Sequence, residues 1–124
     1  MLTWTISDLS KEFDITPRTI RFYEDQGILS PARAGRRRVY VARDRTRLKL
    51  ALRGKRLGLQ LSEIRELIDM YDGPRDTTPQ LKHYWSVLRT QRALFEQQQR
   101  DIEETLSEIA EQELQCQALL REKE

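Results

Sequence analysis

Apolar residues recur at helical spacing along most of this chain, and the stretches between breaks are long enough for helices of several turns. Gly, Pro and short polar residues interrupt the pattern at Asp14–Pro17, Gly27–Gly35, Gly58–Leu61 and Asp72–Pro79. The first helix is expected from about Ser7 to Phe13, with Ser7 as its N-cap, Asp8 at the positive helix start and Leu9 and Phe13 on one face. After a short turn a second helix starts at Thr16-Pro17, a capping residue followed by a proline whose missing N–H costs nothing there, and stops at Gly27. Two short helices joined by a tight turn make a helix-turn-helix.

From Ile28 to Val41 the helical period is lost. Val39, Tyr40 and Val41 are strand formers and Gly35 sits at a hairpin tip, so this stretch reads as a small β-wing. A third helix is expected over Ala42–Leu57, with Leu48, Ala51 and Leu52 as its buried stripe. Gly54 inside it disfavours the helix by about 1 kcal/mol against Ala, and marks a close helix contact. A fourth helix, Leu61–Tyr71, begins near Ser62 and turns Ile64, Leu67, Ile68 and Tyr71 toward the core.

After Pro79 no Gly or Pro occurs. An unbroken helix of about 43 residues would be roughly 65 Å long. Along it, one heptad column holds Leu81, Leu88, Phe95, Ile102, Ile109 and Cys116, and a second, four residues on, holds Trp85, Arg92, Gln99, Leu106, Glu113 and Leu120. Nine of these twelve positions are apolar, which makes a coiled-coil seam with polar interruptions. The expected organisation is therefore mainly α: a winged helix-turn-helix head over residues 1–71, a linker over 72–78 and a coiled-coil dimerisation helix over 79–124. Its interface residues are Leu81, Trp85, Leu88, Phe95, Ile102, Leu106, Ile109, Cys116 and Leu120.

Charge sharpens this picture. The 124 residues carry a net charge of only +2, but Met1–Arg75 holds 16 basic and 10 acidic side chains, whereas Asp76–Glu124 holds 6 and 10. A basic front and an acidic back suit a chain whose front half meets a polyanion. The second helix presents Thr16, Arg18, Thr19 and Arg21 near its start, where a recognition helix reaches base edges in the major groove. Tyr23 offers a hydroxyl for a phosphate, and Arg33, Arg36, Arg37 and Arg38 lie on and beside the wing tip. Each feature alone is common on solvated helices; the set together points to double-stranded DNA.

The stretch Arg18-Thr19-Ile20-Arg21-Phe22-Tyr23-Glu24-Asp25-Gln26-Gly27-Ile28-Leu29 resembles the signature of the MerR family of transcription regulators. Arg33 and Arg38-Val39-Tyr40 resemble that family's wing, and Leu57-Gly58-Leu59-Gln60-Leu61-Ser62-Glu63-Ile64 its third-to-fourth helix junction. A departure lies at Val41-Ala42, where many relatives place a Ser-Pro helix start. The resemblance implies a homodimer joined by an antiparallel coiled coil. It implies binding to a pseudo-palindromic promoter operator, and distortion of overlong promoter spacers so that RNA polymerase can use them. Carried over by position, Arg18, Thr19, Arg21 and Tyr23 would contact DNA from the recognition helix, and Arg33, Arg36, Arg37, Arg38 and Tyr40 would serve the wing. Arg43-Asp44-Arg45, Leu48-Lys49-Leu50 and Arg53-Gly54-Lys55-Arg56 are similar to the subgroup linked to leucine, isovalerate and acyl-CoA breakdown.

Other chemistry is thinly provided. One Cys and one His supply no metal site, no redox cluster and no catalytic set, so no cofactor and no enzyme activity are expected. Cys116 reads as a small seam residue and His83 as an exposed helix residue. The family's metal sensors carry further cysteines that this chain lacks. The expected effector is a small organic molecule at the head–tail junction, near Tyr84 and Trp85, or none. No apolar run approaches the roughly 18 residues of a membrane span, and Met1–Thr5 does not resemble a signal peptide, so a cytoplasmic protein is expected. Competing readings are an architectural DNA-bending protein without an effector and a coiled-coil adaptor.

Overall fold

The computed structural model describes residues 1–73 and 77–124. Its first helix, α1 (Ile6–Phe13), has its N-cap two residues earlier than its sequence pattern implied, at Thr5 rather than Ser7. The Thr5 hydroxyl accepts the Asp8 N–H at 3.0 Å, and the Asp8 carboxylate accepts the Thr5 N–H at 2.9 Å. This reciprocal pair satisfies two donors that a helix start otherwise leaves open. Asp14 ends α1 in the left-handed region at φ 53°, reversing the chain within one residue. The second helix, α2 (Pro17–Asp25), then starts as expected, with the Thr16 hydroxyl accepting the Thr19 N–H at 3.2 Å.

Gly27 closes α2 at φ 77°, a conformation that strains any residue with a Cβ. There the Gly27 N–H bonds the Glu24 carbonyl and the Ile28 N–H bonds the Tyr23 carbonyl, both at 2.9 Å, so the last turn loses no acceptor to the core. The wing consists of β1 (Ala32–Ala34) and β2 (Arg37–Val39), antiparallel, with Ala32 opposite Val39, Arg33 opposite Arg38 and Ala34 opposite Arg37. Gly35-Arg36 forms the two-residue loop between them, with Gly35 at φ 65°. Tyr40 does not extend β2; its backbone exchanges two bonds of 2.9 Å with Trp4, which ties the N-terminal segment to the wing stem.

The third helix, α3 (Ala42–Arg56), begins at Val41, which has no side chain able to cap it. Asp44 compensates from inside the helix: its carboxylate accepts the Val41 N–H and the Ser30 N–H, each at 3.1 Å. It is the one buried charged residue among the described residues. The fourth helix, α4 (Leu61–Asp72), has Gln60 as its N-cap, whose N–H bonds the Glu63 carboxylate at 2.8 Å, with Ser62 two residues on. α3 and α4 pack together, and α1 packs on α2. Leu9, Ile20, Leu29, Leu48 and Ile68 are fully buried among them, each contributing about 1.5–3 kcal/mol by leaving water. Ile64, Leu67 and Ile68 are buried as expected, but Tyr71 is exposed, because it lies in the last turn of α4, beyond the packed stripe. Leu52 is only half-buried.

The fifth helix, α5, spans Thr78–Glu122, 45 residues, and none of them is buried. The chain divides into two compact units, Met1–Leu81 and Lys82–Glu124. Of the linker expected over 72–78, Asp72 belongs to α4 and Thr78 to α5, while 74–76 lie outside the described residues.

Candidate nucleic-acid interface

The start of α2 carries two exposed arginines, Arg18 and Arg21, and neither has an ion-pair partner among the described residues. Thr16 and Thr19 stand beside them, but their hydroxyls are partly used: they bond each other at 3.1 Å while Thr16 caps the helix. Phe22, one turn after Arg18, is also exposed on this helix, a large apolar residue in a place where solvent alone gives no reason for it. Its spacing from Arg18 was the available signal.

On the wing, Arg33, Arg36 and Arg37 are exposed and likewise unpaired among the described residues. Arg38 is different. Its Nε donates to Glu24 Oε2 at 3.0 Å, and its side chain keeps only about a quarter of its surface. Tyr40 also differs from the expectation of a wing contact: it is completely buried, and its hydroxyl donates to the other oxygen of Glu24. Burial, reinforced by the Glu24 carboxylate, pushes the Tyr40 hydroxyl far above its ordinary range, which keeps it a donor. Tyr23, whose hydroxyl was expected to meet a phosphate, is 2% exposed with its ring in the core, and burial raises its pKa too.

The arginines of α3 and α4 divide by the same test. Arg47 donates to the Ile28 carbonyl at 2.5 Å and pairs with Asp72, which Arg43 also reaches at 3.3 Å. Arg65 donates to the Gln26 carbonyl. Both bonds hold the C-terminal end of α2 against the helices behind it. Arg45 grips Glu12 through its Nε at 2.8 and 2.9 Å and lies over the Trp4 ring at 5.7 Å, joining α3 to α1 and to the N-terminal segment. The exposed Lys49, Arg53, Lys55 and Arg56 are left over, and sequence reading did not assign them a contact. With Thr16, Thr19 and Asp14 they line an open groove of about 710 Å³ beside the helix-turn-helix turn. The i, i+4 spacing of Lys49 and Arg53 and the basic run Arg53-Gly54-Lys55-Arg56 were its sequence signals.

Residues 4–71 match the family model for the MerR HTH family regulatory protein, and residues 45–112 match the model described as MerR, DNA binding. The chain belongs to the MerR family. It is 35% identical over 79 residues to the HTH-type transcriptional regulator ZntR of Escherichia coli K12, covering 62% of this chain and 56% of that protein. It is 30% identical over 79 residues to CueR of Salmonella typhi, covering 62% and 57%. The chain thus spans little more than half the length of these curated relatives. Among solved structures, a MerR-family transcriptional regulator from Bacillus cereus superposes with a TM-score of 0.72 at 28% identity, covering 89% of this chain and 79% of that one. HiNmlR, a MerR-family regulator lacking the sensor domain and solved bound to promoter DNA, shares the fold with a TM-score of 0.64 at 22% identity, covering 86% and 80%.

This MerR-family head carries its relatives' winged helix-turn-helix, and those relatives are transcription regulators rather than enzymes. PbrR691 from Ralstonia metallidurans CH34, 26% identical with a TM-score of 0.63 over 85% of this chain and 83% of that one, was solved with lead(II). Among the described residues here no group of three His, Cys, Asp or Glu side chains is placed to hold a metal ion, and Cys116 is exposed on α5. The seam residues expected on α5 do share its surface. Leu81, Trp85, Phe95, Ile102, Leu106, Ile109 and Leu120 are exposed, Leu88 is half-buried, and Ile102 and Leu106 each keep 59% of their surface. No helix of the described residues is long and apolar enough to cross a membrane.

Proposed function

We propose that this chain is a homodimeric transcription regulator that binds a pseudo-palindromic operator in double-stranded promoter DNA. The observation that carries the reading is the set of unpartnered arginines: Arg18 and Arg21 at the start of α2, and Arg33, Arg36 and Arg37 on the wing. In a head where Arg38, Arg43, Arg45 and Arg47 all find carboxylates, these five find none among the described residues. Their missing counterions are the phosphates and guanine edges of a duplex.

The second copy is recruited by α5. A helix of 45 residues with a line of exposed Leu, Ile, Phe and Trp is marginal in water without a partner. Charge favours an antiparallel pair: Lys82, Arg89, Arg92 and Arg100 lie in the first half of the helix, and Asp101, Glu103, Glu104, Glu108, Glu111 and Glu113 follow. Antiparallel packing sets the basic half of each copy along the acidic half of the other. The dimer then holds two heads at fixed separation and distorts the promoter between them for RNA polymerase, in the cytoplasm. A small organic effector, where one acts, biases that distortion. The subgroup likeness around Arg43–Arg56 makes genes of branched-chain amino-acid and acyl-CoA breakdown the first targets to examine. Selection of duplexes from a random pool tests the core of this reading. Enrichment of an inverted repeat supports it, and enrichment of no sequence overturns it.

A further inference from the structure

We propose that Glu24 is a positioning residue that fixes the wing against the recognition helix, so that duplex affinity depends on this acidic side chain. The inference rests on the DNA-binding reading above. Glu24 lies in the last turn of α2, on the helix that meets DNA, where a free carboxylate would repel phosphate. It is turned inward instead, with its side chain only 13% exposed. One oxygen accepts the Arg38 Nε–H at 3.0 Å and the other accepts the Tyr40 hydroxyl.

Both partners belong to the wing stem. Arg38 is in β2 and Tyr40 directly follows it, clamped on its other side to the Trp4 backbone by two bonds of 2.9 Å. Strands of three residues form a hairpin that is marginal by itself, so the wing has little internal stiffness. Its angle to α2 is set where the stem is held, and Glu24 holds it through two charge-assisted bonds in a site largely closed to water. Release of that hold lets Arg33, Arg36 and Arg37 move relative to Arg18 and Arg21, and a duplex that needs both sets at once is bound less well.

The opposite role for the pair makes the opposite prediction. If Glu24 merely neutralised Arg38, its removal would free a cation and delete a negative charge beside DNA, and binding would tighten with a steeper salt dependence. The test is a titration of the full chain against a duplex selected by the wild-type protein, at several salt concentrations, with hydroxyl-radical footprints. Glu24→Gln is expected to bind about tenfold more weakly, the effect of losing one charge-assisted hydrogen bond. Its salt slope falls and its wing protections fade while the recognition-helix protections persist. Glu24→Gln combined with Arg38→Met is expected to lose little more than either change alone, since the two act as a unit.

Tyr40→Phe keeps the ring and removes one bond; a smaller loss in the same direction separates positioning from misfolding. Undiminished or tighter binding by Glu24→Gln with intact wing protections overturns the inference. An additive loss of about a hundredfold in the double variant does so as well, since it gives Arg38 a phosphate of its own. If the wild-type chain selects no duplex, the DNA-binding reading itself falls, and this inference with it.

Discussion

Gly54 of α3 faces Ile64 of α4 so closely that a methyl group at position 54 would stand 2.7 Å from Ile64 Cγ1. Ala is otherwise the better helix residue by about 1 kcal/mol, so the close approach decides the sign. Gly54→Ala is expected to destabilise the head by about 1–3 kcal/mol through overpacking, measured by urea unfolding. In an Ile64→Val background the penalty changes little, since Cγ1 remains, whereas in Ile64→Ala it largely disappears. A Gly54→Ala variant as stable as the parent would mean that the helices separate at no cost.

Asp44 joins the two ends of the wing by accepting the N–H groups of Ser30 and Val41. An amide at this position has one acceptor oxygen instead of two. Asp44→Asn therefore strands one of the two donors, and a loss of about 1–3 kcal/mol is expected. Hydrogen exchange distinguishes this from a general loosening: the Ser30 and Val41 amides are expected to lose protection before those of α4.

The Glu12–Arg45 pair predicts a pH dependence. The Arg45 guanidinium, hydrogen-bonded to Glu12, holds the Glu12 carboxyl below its ordinary value of 4.5, against a smaller opposing effect of partial burial. A carboxyl whose pKa is lower in the folded state adds stability that is complete above its unfolded value and is lost as pH falls through the folded one. Wild-type protein is therefore expected to melt above Glu12→Gln at neutral pH, with the difference closing as pH drops well below 4.5. A difference that persisted unchanged into acid would assign the stabilisation to packing rather than to the charge.

The proposed pairing of α5 is open to a thiol test. In a parallel pair, the Cys116 side chains of the two copies would face one another across the seam, and mild oxidation would link the wild-type dimer. In an antiparallel pair in full overlap they lie far apart, and Trp85 of one copy is level with Cys116 of the other. Oxidation is expected to leave wild-type protein unlinked and to link Trp85→Cys, since a disulfide needs Cα atoms within about 7 Å. Linkage of the wild type, or of neither protein, contradicts that arrangement.

Local signals carried most of the fold. Thr16-Pro17 and Gly27 marked α2 because a cap, a proline and a left-handed glycine act within a turn, and Gly54 marked a helix contact because little else explains a glycine inside a helix. Thr5 was missed although Thr5-x-x-Asp8 is a capping signal, since Ser7 competed for the same role. The site was harder. Arg18, Arg21, Arg33, Arg36 and Arg37 emerge exposed, but Arg38, Tyr23 and Tyr40 do not stand with them. Arg38 and Tyr40 are captured by Glu24, which lies 14 and 16 residues away along the chain, and no local pattern reveals a contact at that range. Tyr71 follows the helical period of Ile64, Leu67 and Ile68 but lies in the last turn of α4 and is exposed, which periodicity alone does not reveal. The long helix α5 was legible because an unbroken run without Gly or Pro is a local signal.

The most direct test of the central claim is footprinting on the promoters of the protein's own gene and its neighbours across a range of salt concentrations. The account predicts a protected dyad between the two promoter elements, weakening steeply with salt because several arginines displace counterions from phosphates. It also predicts that Arg18→Ala loses base discrimination by about 1–3 kcal/mol while Arg36→Ala weakens all sequences alike and reduces the salt slope by about one. Absence of protection even at low salt would contradict the account and leave the head's free arginines without a polyanion.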